Sequence, residues 1–104
     1  MQTIIIKLDS NKLDNPDLDI ITLLPVRIEE ITNNEIYDNG FEYLNNDVIG
    51  VWLETKNAKE NVNKVIELLK NEKFADNDLS LSAEVFISDK DCAEIDKCEK
   101  VYPK

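Results

Sequence analysis

VIGVWLETKNAKENVNKVIELLKNEKF, Val48 to Phe74, carries two periodicities in succession. From Val48 to Thr55 the residues alternate, with Ile49, Val51 and Leu53 on one side and Val48, Trp52 and Glu54 on the other. A half-buried strand requires that pattern. Asn57 then stands three residues before Glu60, a capping-box-like pair able to satisfy backbone N–H groups that a first helical turn leaves open. A helix is expected from Ala58. Its apolar residues Ala58, Val62, Val65, Ile66 and Leu69 recur at spacings of three and four, and Lys59, Glu60, Asn63, Lys64, Glu67 and Lys70 fill the other faces.

Outward from this unit the same tests apply. Thr3 to Leu8 (TIIIKL) reads as a strand, with Ile4, Ile6 and Leu8 on one face and Thr3, Ile5 and Lys7 on the other; three successive isoleucines favour strand over helix. Asp9 to Asp19 is rich in turn formers and includes Asn15-Pro16, so a loop is expected, ending in a helix cap at Asp17 or Asp19. Ile21, Leu24, Ile28 and Ile31 form one helical face. Pro25 interrupts it, and the spacing predicts a short turn followed by a helix from about Leu24 to Asn33. Ile36 to Leu44 reads as a strand with a bulge or turn at Asn39-Gly40, and Asn45-Asn46-Asp47 is a tight connection into Val48. Leu81 to Ser88 alternates again, with Leu81, Ala83, Val85 and Ile87 sharing a face. Asp89 to Lys104 reads as a helical turn and an extended end.

Strand, helix, strand, strand, helix, strand is the β-α-β-β-α-β order of a ferredoxin-like α+β sandwich, an antiparallel sheet with two helices on one face. The 104 residues make one such domain, 1–104. Ile4, Ile6, Val51, Leu53, Val85 and Ile87 are then expected beneath the helices. Ile5, Lys7, Trp52, Glu54, Glu84 and Phe86 fall on the open face, where Ile5 joins the two rings into one apolar patch. Val101 and Tyr102 of the closing segment, or a protein partner, are the expected cover.

Twenty-two acidic residues against twelve basic ones give a net charge of −10. Asp9 to Glu54 holds eleven carboxylates against Lys12 and Arg27, so most of the excess lies in this half. Such a field disfavours nucleic acid and anionic membrane and favours a basic protein partner; its plainer role is solubility. No apolar run is long enough for a signal peptide core or a membrane span, so the expected location is cytoplasmic. There is no histidine, which removes the commonest general base and metal ligand, and the two glycines build no phosphate loop or nucleophile elbow. Glu29-Glu30 and Asp76-Asn77-Asp78 read more simply as solvated acids than as acid/base pairs. Asp89-Lys90-Asp91 begins like a calcium loop but has Glu94 and Lys100 where glycine and a bidentate glutamate belong. Cys92 and Cys98 lack zinc-site spacing and read as free thiols. Trp52 and Phe86 resemble a base-stacking platform in placement only, since Glu54 and Glu84 flank them. No catalysis, metal or cofactor is expected.

The runs NPDLDI (Asn15 to Ile20), DNGFEY (Asp38 to Tyr43), IGVWLET (Ile49 to Thr55), NDLS (Asn77 to Ser80) and AEVFIS (Ala83 to Ser88) resemble those of small acidic bacterial immunity proteins of polymorphic or contact-dependent toxin systems. The resemblance implies a cytoplasmic, non-catalytic inhibitor of a cognate toxin domain, often a basic nuclease. Asp17, Asp19, Glu29, Glu30, Asp38, Glu42, Tyr43, Trp52 and Glu54 are the expected toxin-binding residues, in a monomer or weak homodimer. The alternative is a ferredoxin-like regulatory or small-ligand domain that uses the open face or dimerises through it.

Overall fold

The computed structural model describes residues 1–103. Its elements are β1 (Gln2–Asp9), α1 (Ile20–Ile31), β2 (Ile36–Tyr43), β3 (Val48–Thr55), α2 (Ala58–Asn71), β4 (Glu84–Ser88) and β5 (Glu99–Tyr102), with three short 3-10 turns between them. The domain is α+β: five antiparallel strands in the order β2-β3-β1-β4-β5, with two helices. The expected count of four strands is too low, because Glu99–Tyr102 pairs with the outer side of β4. No helix among the described residues is long and apolar enough to cross a membrane.

Alternation sorts the strand residues as their spacing requires. Ile4, Ile6, Val51, Leu53, Val85 and Ile87 lie in one buried cluster with Leu24 and Ile28 of α1 and Val62, Val65 and Leu69 of α2. Both helices therefore seal the same sheet face. Asn57 starts α2 by accepting from Glu60 N at 3.1 Å, and Gln2 Oε1 accepts from Ala58 N at 2.8 Å, which ties the helix start to β1. Arg27 of α1 grips Glu72 after α2 through two parallel bonds, Nε to Oε1 and Nη2 to Oε2, each 3.0 Å. The bonds and charge of Glu72 raise the Arg27 pKa, and the bond from Arg27 holds the Glu72 carboxyl below its ordinary range against a smaller opposing effect of desolvation.

Three local expectations are corrected. Helix α1 begins at Ile20, not near Leu24, and runs through Pro25. Its first turn is already closed by Thr22 N and Leu23 N on Asp19 O, and burial of Ile20, Leu24, Pro25 and Ile28 against the sheet outweighs the one bond the proline removes. Asn33 and Asn34, with φ of 50° and 61°, end it as the asparagine pair suggests. Leu81 does not belong to the last long strand: it is 84% exposed in a 3-10 turn, Leu79–Leu81, where Leu79 is the buried residue. Asp78 imposes the turn by accepting from Ser80 N. Val101 and Tyr102 pack on the helix side of the sheet, not on the open face, because β5 is bulged and brings Tyr102 opposite Val85. The Tyr102 hydroxyl donates to Ser80 O, and Lys70 lies 5.6 Å from its ring centre.

The loops are tied by one buried amide that the sequence does not announce. Asn77 is 2% exposed; its Oδ1 accepts from Asn15 N at 2.8 Å and its Nδ2 donates to Asn15 O and Phe74 O. It thereby fixes the β1–α1 loop against the turn after α2.

Candidate functional site

The open sheet face closes on itself. Ile5 stands opposite Trp52 on β3 and Phe86 on β4, as its register position requires, and is fully buried. The cover is the chain around residues 90–93. Thr3 Oγ1 donates to Lys90 O at 2.8 Å and accepts from Ala93 N at 3.2 Å, and Trp52 Nε1 donates to Ala93 O at 2.9 Å. The six-membered ring of Trp52 sits against Gly50, where an added Cβ would come within 2.4 Å of Cζ3. The side chain is half-buried and its indole N–H is engaged by Ala93 O. Toward β5 the face is polar: Lys7 and Lys100 reach opposite oxygens of Glu84 at 3.5 and 3.2 Å. Burial alone would raise the Glu84 pKa, but the bond from Lys100 and the charges of both lysines outweigh it and the carboxyl titrates below its ordinary range.

The exposed apolar surface is on the opposite edge. After Ile36, every residue of β2 is exposed. Strand β2 has β3 on one side only, and the bulge between Asp38 and Phe41, with Gly40 at φ +90°, turns its second half away. Tyr37, Phe41 and Tyr43 are 40%, 52% and 55% exposed. Phe41 and Tyr43 meet edge to face, with ring centres 6.2 Å apart.

The two halves of this edge differ. Before the bulge, outward N–H groups are capped: Asp38 N donates to Glu29 Oε2 at 3.0 Å and Gly40 N to Asp38 Oδ1 at 2.9 Å. Carboxylates placed this way deter another strand from docking. After the bulge, Leu44 N bonds to Val48 O at 2.8 Å, so by alternation Glu42 pairs with β3 while Phe41 and Tyr43 turn their backbone groups outward.

The expected binding residues are divided: Glu42, Trp52 and Glu54 lie on the open face, Asp38 and Tyr43 on the helix face, and the other four at or in α1. Asp38 and Tyr43 share the helix side with Phe41, while Glu42 and Glu54 share the other side with Tyr37. Glu29 caps the edge, and Glu30 lies 3.8 Å from Arg27 in an exposed pair. Asp17 and Asp19 mark the start of α1, where Asp17 Oδ1 accepts from Asp19 N; Asp17 and Leu18 line a crevice with Ile49, the partner of Tyr43. Spacing and charge did not single out Phe41 or Tyr37. Their exposure follows from the edge position of β2, which the Asn39-Gly40 bulge hints at but does not establish.

The described residues form no candidate metal centre: they contain no group of three or more acidic or cysteine side chains placed to hold a metal ion. Cys92 and Cys98 are free; burial and then the charge of Asp96 push the Cys98 thiol up, which makes it a poorer nucleophile. Asp78, one of the acids considered for acid/base work, is engaged as a turn cap. No family, curated protein or solved structure matches this chain. The exposed aromatic residues on the acidic edge are thus the feature with the clearest capacity to bind.

Proposed function

We propose that this chain is a non-catalytic immunity protein that neutralises a basic toxin domain in the cytoplasm, using the β2 edge as its contact surface. One observation carries the reading: Phe41 and Tyr43, two touching aromatic side chains each more than half exposed, sit on a strand that carries Asp38 and Glu42 and is capped by Glu29. Exposed aromatics inside a like-charged field suit a hot spot, with the rings supplying affinity and the carboxylates steering a basic partner. The sequence resemblance to immunity proteins agrees with this use. The strand order β2-β3-β1-β4 supports reading the first four strands as a ferredoxin-like unit with β5 appended. A dimer interface centred on Ile5 is disfavoured, because Ile5 is already fully buried within the chain.

The test begins with the neighbouring reading frame. Its C-terminal domain, expressed alone, should arrest growth, and this chain should restore growth and bind that domain with an affinity that falls steeply with salt. Phe41→Ala with Tyr43→Ala should remove protection, weakening binding by roughly 2–4 kcal/mol per ring if both are hot spots. Rescue that survives the double substitution would place the contact elsewhere. A neighbour that is neither basic nor toxic, with no basic protein retained at low salt, would sink the function itself.

A further inference from the structure

Next to the β2 edge, on the open face, the covering segment leaves a gap. Glu42, Leu44 and Trp52 on the hairpin side and Glu94, Ile95 and Asp96 on the segment side enclose a crevice of about 270 Å³. Small-molecule sites usually take roughly 300–1,000 Å³, so this space suits one long side chain better than a metabolite.

The side chains of its lining accept hydrogen bonds and offer almost none. The indole N–H of Trp52 is engaged by Ala93 O, and the Cys92 thiol is directed at Asp91 Oδ1. The other polar side chains are Glu42, Glu94 and Asp96, and none of these carboxylates forms an ion pair or a side-chain hydrogen bond among the described residues. The indole sits against Gly50 by the Cζ3 corner of its six-membered ring, and the side chain also lines the crevice. A group matched to these side chains carries several donors, is positive, and has a flat surface for the ring. Arginine meets all three conditions: a planar guanidinium with five N–H groups and no acceptor, which stacks on aromatic faces while bonding carboxylates. An ammonium group is a point charge that matches the charge but not the plane.

We infer that this crevice receives an arginine side chain of the protein partner, its guanidinium stacked on Trp52 and bonded to Glu42 and to a carboxylate of the 94–96 segment. The inference rests on the proposed function for the source of the arginine, but its chemistry is testable without a partner. Trp52 is the only tryptophan, so its fluorescence reports the crevice directly. The intact chain is titrated with N-acetyl-arginine methylamide, with the citrulline analogue at equal ionic strength, and with the lysine analogue. The arginine probe should give a saturable change, the citrulline probe none, and the lysine probe a weaker one. Glu42→Gln, at an exposed position, should weaken the arginine response by about tenfold, as loss of a charge-assisted bond implies.

An unsaturable arginine response, one matched by citrulline or lysine, or one that Glu42→Gln leaves unchanged would overturn the assignment. The two proposals fail separately. A saturable arginine response with no toxic neighbour leaves the crevice and removes the toxin, whereas growth rescue unaffected by Glu42→Gln, with no arginine response, removes the crevice alone.

Discussion

Thr3→Val is expected to unfasten the cover of the open sheet face without altering the shape of the residue beneath it. Thr3 is 2% exposed, and its hydroxyl is the only group that bonds both Lys90 O and Ala93 N. Valine keeps the volume and removes both bonds. If the segment stays in place, a part-buried N–H and C=O lose their partner, at up to about 1–3 kcal/mol for each group that water does not reach. If the segment lifts instead, water satisfies those groups but Ile5 and part of Trp52 are uncovered, and exposing one large apolar side chain costs about 1.5–3 kcal/mol. The cheaper route sets the outcome, so a loss of about 2–3 kcal/mol is expected. That is a large share of the roughly 5–15 kcal/mol that holds a domain together. Urea unfolding followed by Trp52 fluorescence gives the stability change, and acrylamide quenching in the absence of urea tells the routes apart. Acrylamide is neutral, so the net charge of −10 does not repel it as it would iodide. Unchanged quenching together with a loss below about 0.5 kcal/mol, the scatter of an ordinary surface substitution, would refute the argument that Thr3 pins the cover.

Gly50→Ala places a methyl group 2.4 Å from Trp52 Cζ3, in a ring held by its bond to Ala93 O; a loss of about 1–3 kcal/mol and a shifted emission maximum are expected, and wild-type values for both would show that the ring moves freely. The Arg27–Glu72 clamp gives a pH signature with a definite sign. The folded-state pKa of Glu72 lies below its unfolded value, so the stability it contributes is present at neutral pH and fades as pH falls through the acid range into that lowered pKa. Glu72→Gln should flatten this part of the stability–pH curve, and an acid limb identical to the wild type would mean that the exposed pair contributes nothing measurable.

Strand alternation made most of the sheet legible. Ile4, Ile6, Val51, Leu53, Val85 and Ile87 repeat every second residue, and burial on one face follows from that repeat. The start of α2 was equally readable, since Asn57 and Glu60 are local to it. The cover was not. Residues 90–93 have no periodicity of their own, and their path is set by Thr3 and Trp52, some 90 and 40 positions away. The apolar patch on the open face announced that something must lie over it. Choosing Val101 and Tyr102 for that role took hydrophobicity as the guide, whereas the chain uses backbone bonds to a threonine and an indole. Helix α1 was misjudged at its start because propensity penalises an interior proline, and only the tertiary burial of Pro25 reverses the balance. Of the expected binding residues, the acids were legible as charge. Their sorting into edge caps and free carboxylates needed the fold.

The position of β1 at the centre of the sheet has a consequence for how the chain assembles. Its isoleucine run, Ile4 to Ile6, is made first, yet it pairs with Val51–Leu53 on one side and with Val85–Ile87 on the other. Both partners are distant in sequence, so closing the sheet carries a loop-entropy barrier twice, and slow folding relative to a helical protein of this size follows. Until Glu84–Ser88 arrives, one flank of the strand that carries the isoleucine run is an open edge. Such an edge is where two incomplete chains would join. Strand β4 therefore has a protective task during biosynthesis that the finished structure conceals: by pairing with β1 it closes an apolar edge to other chains.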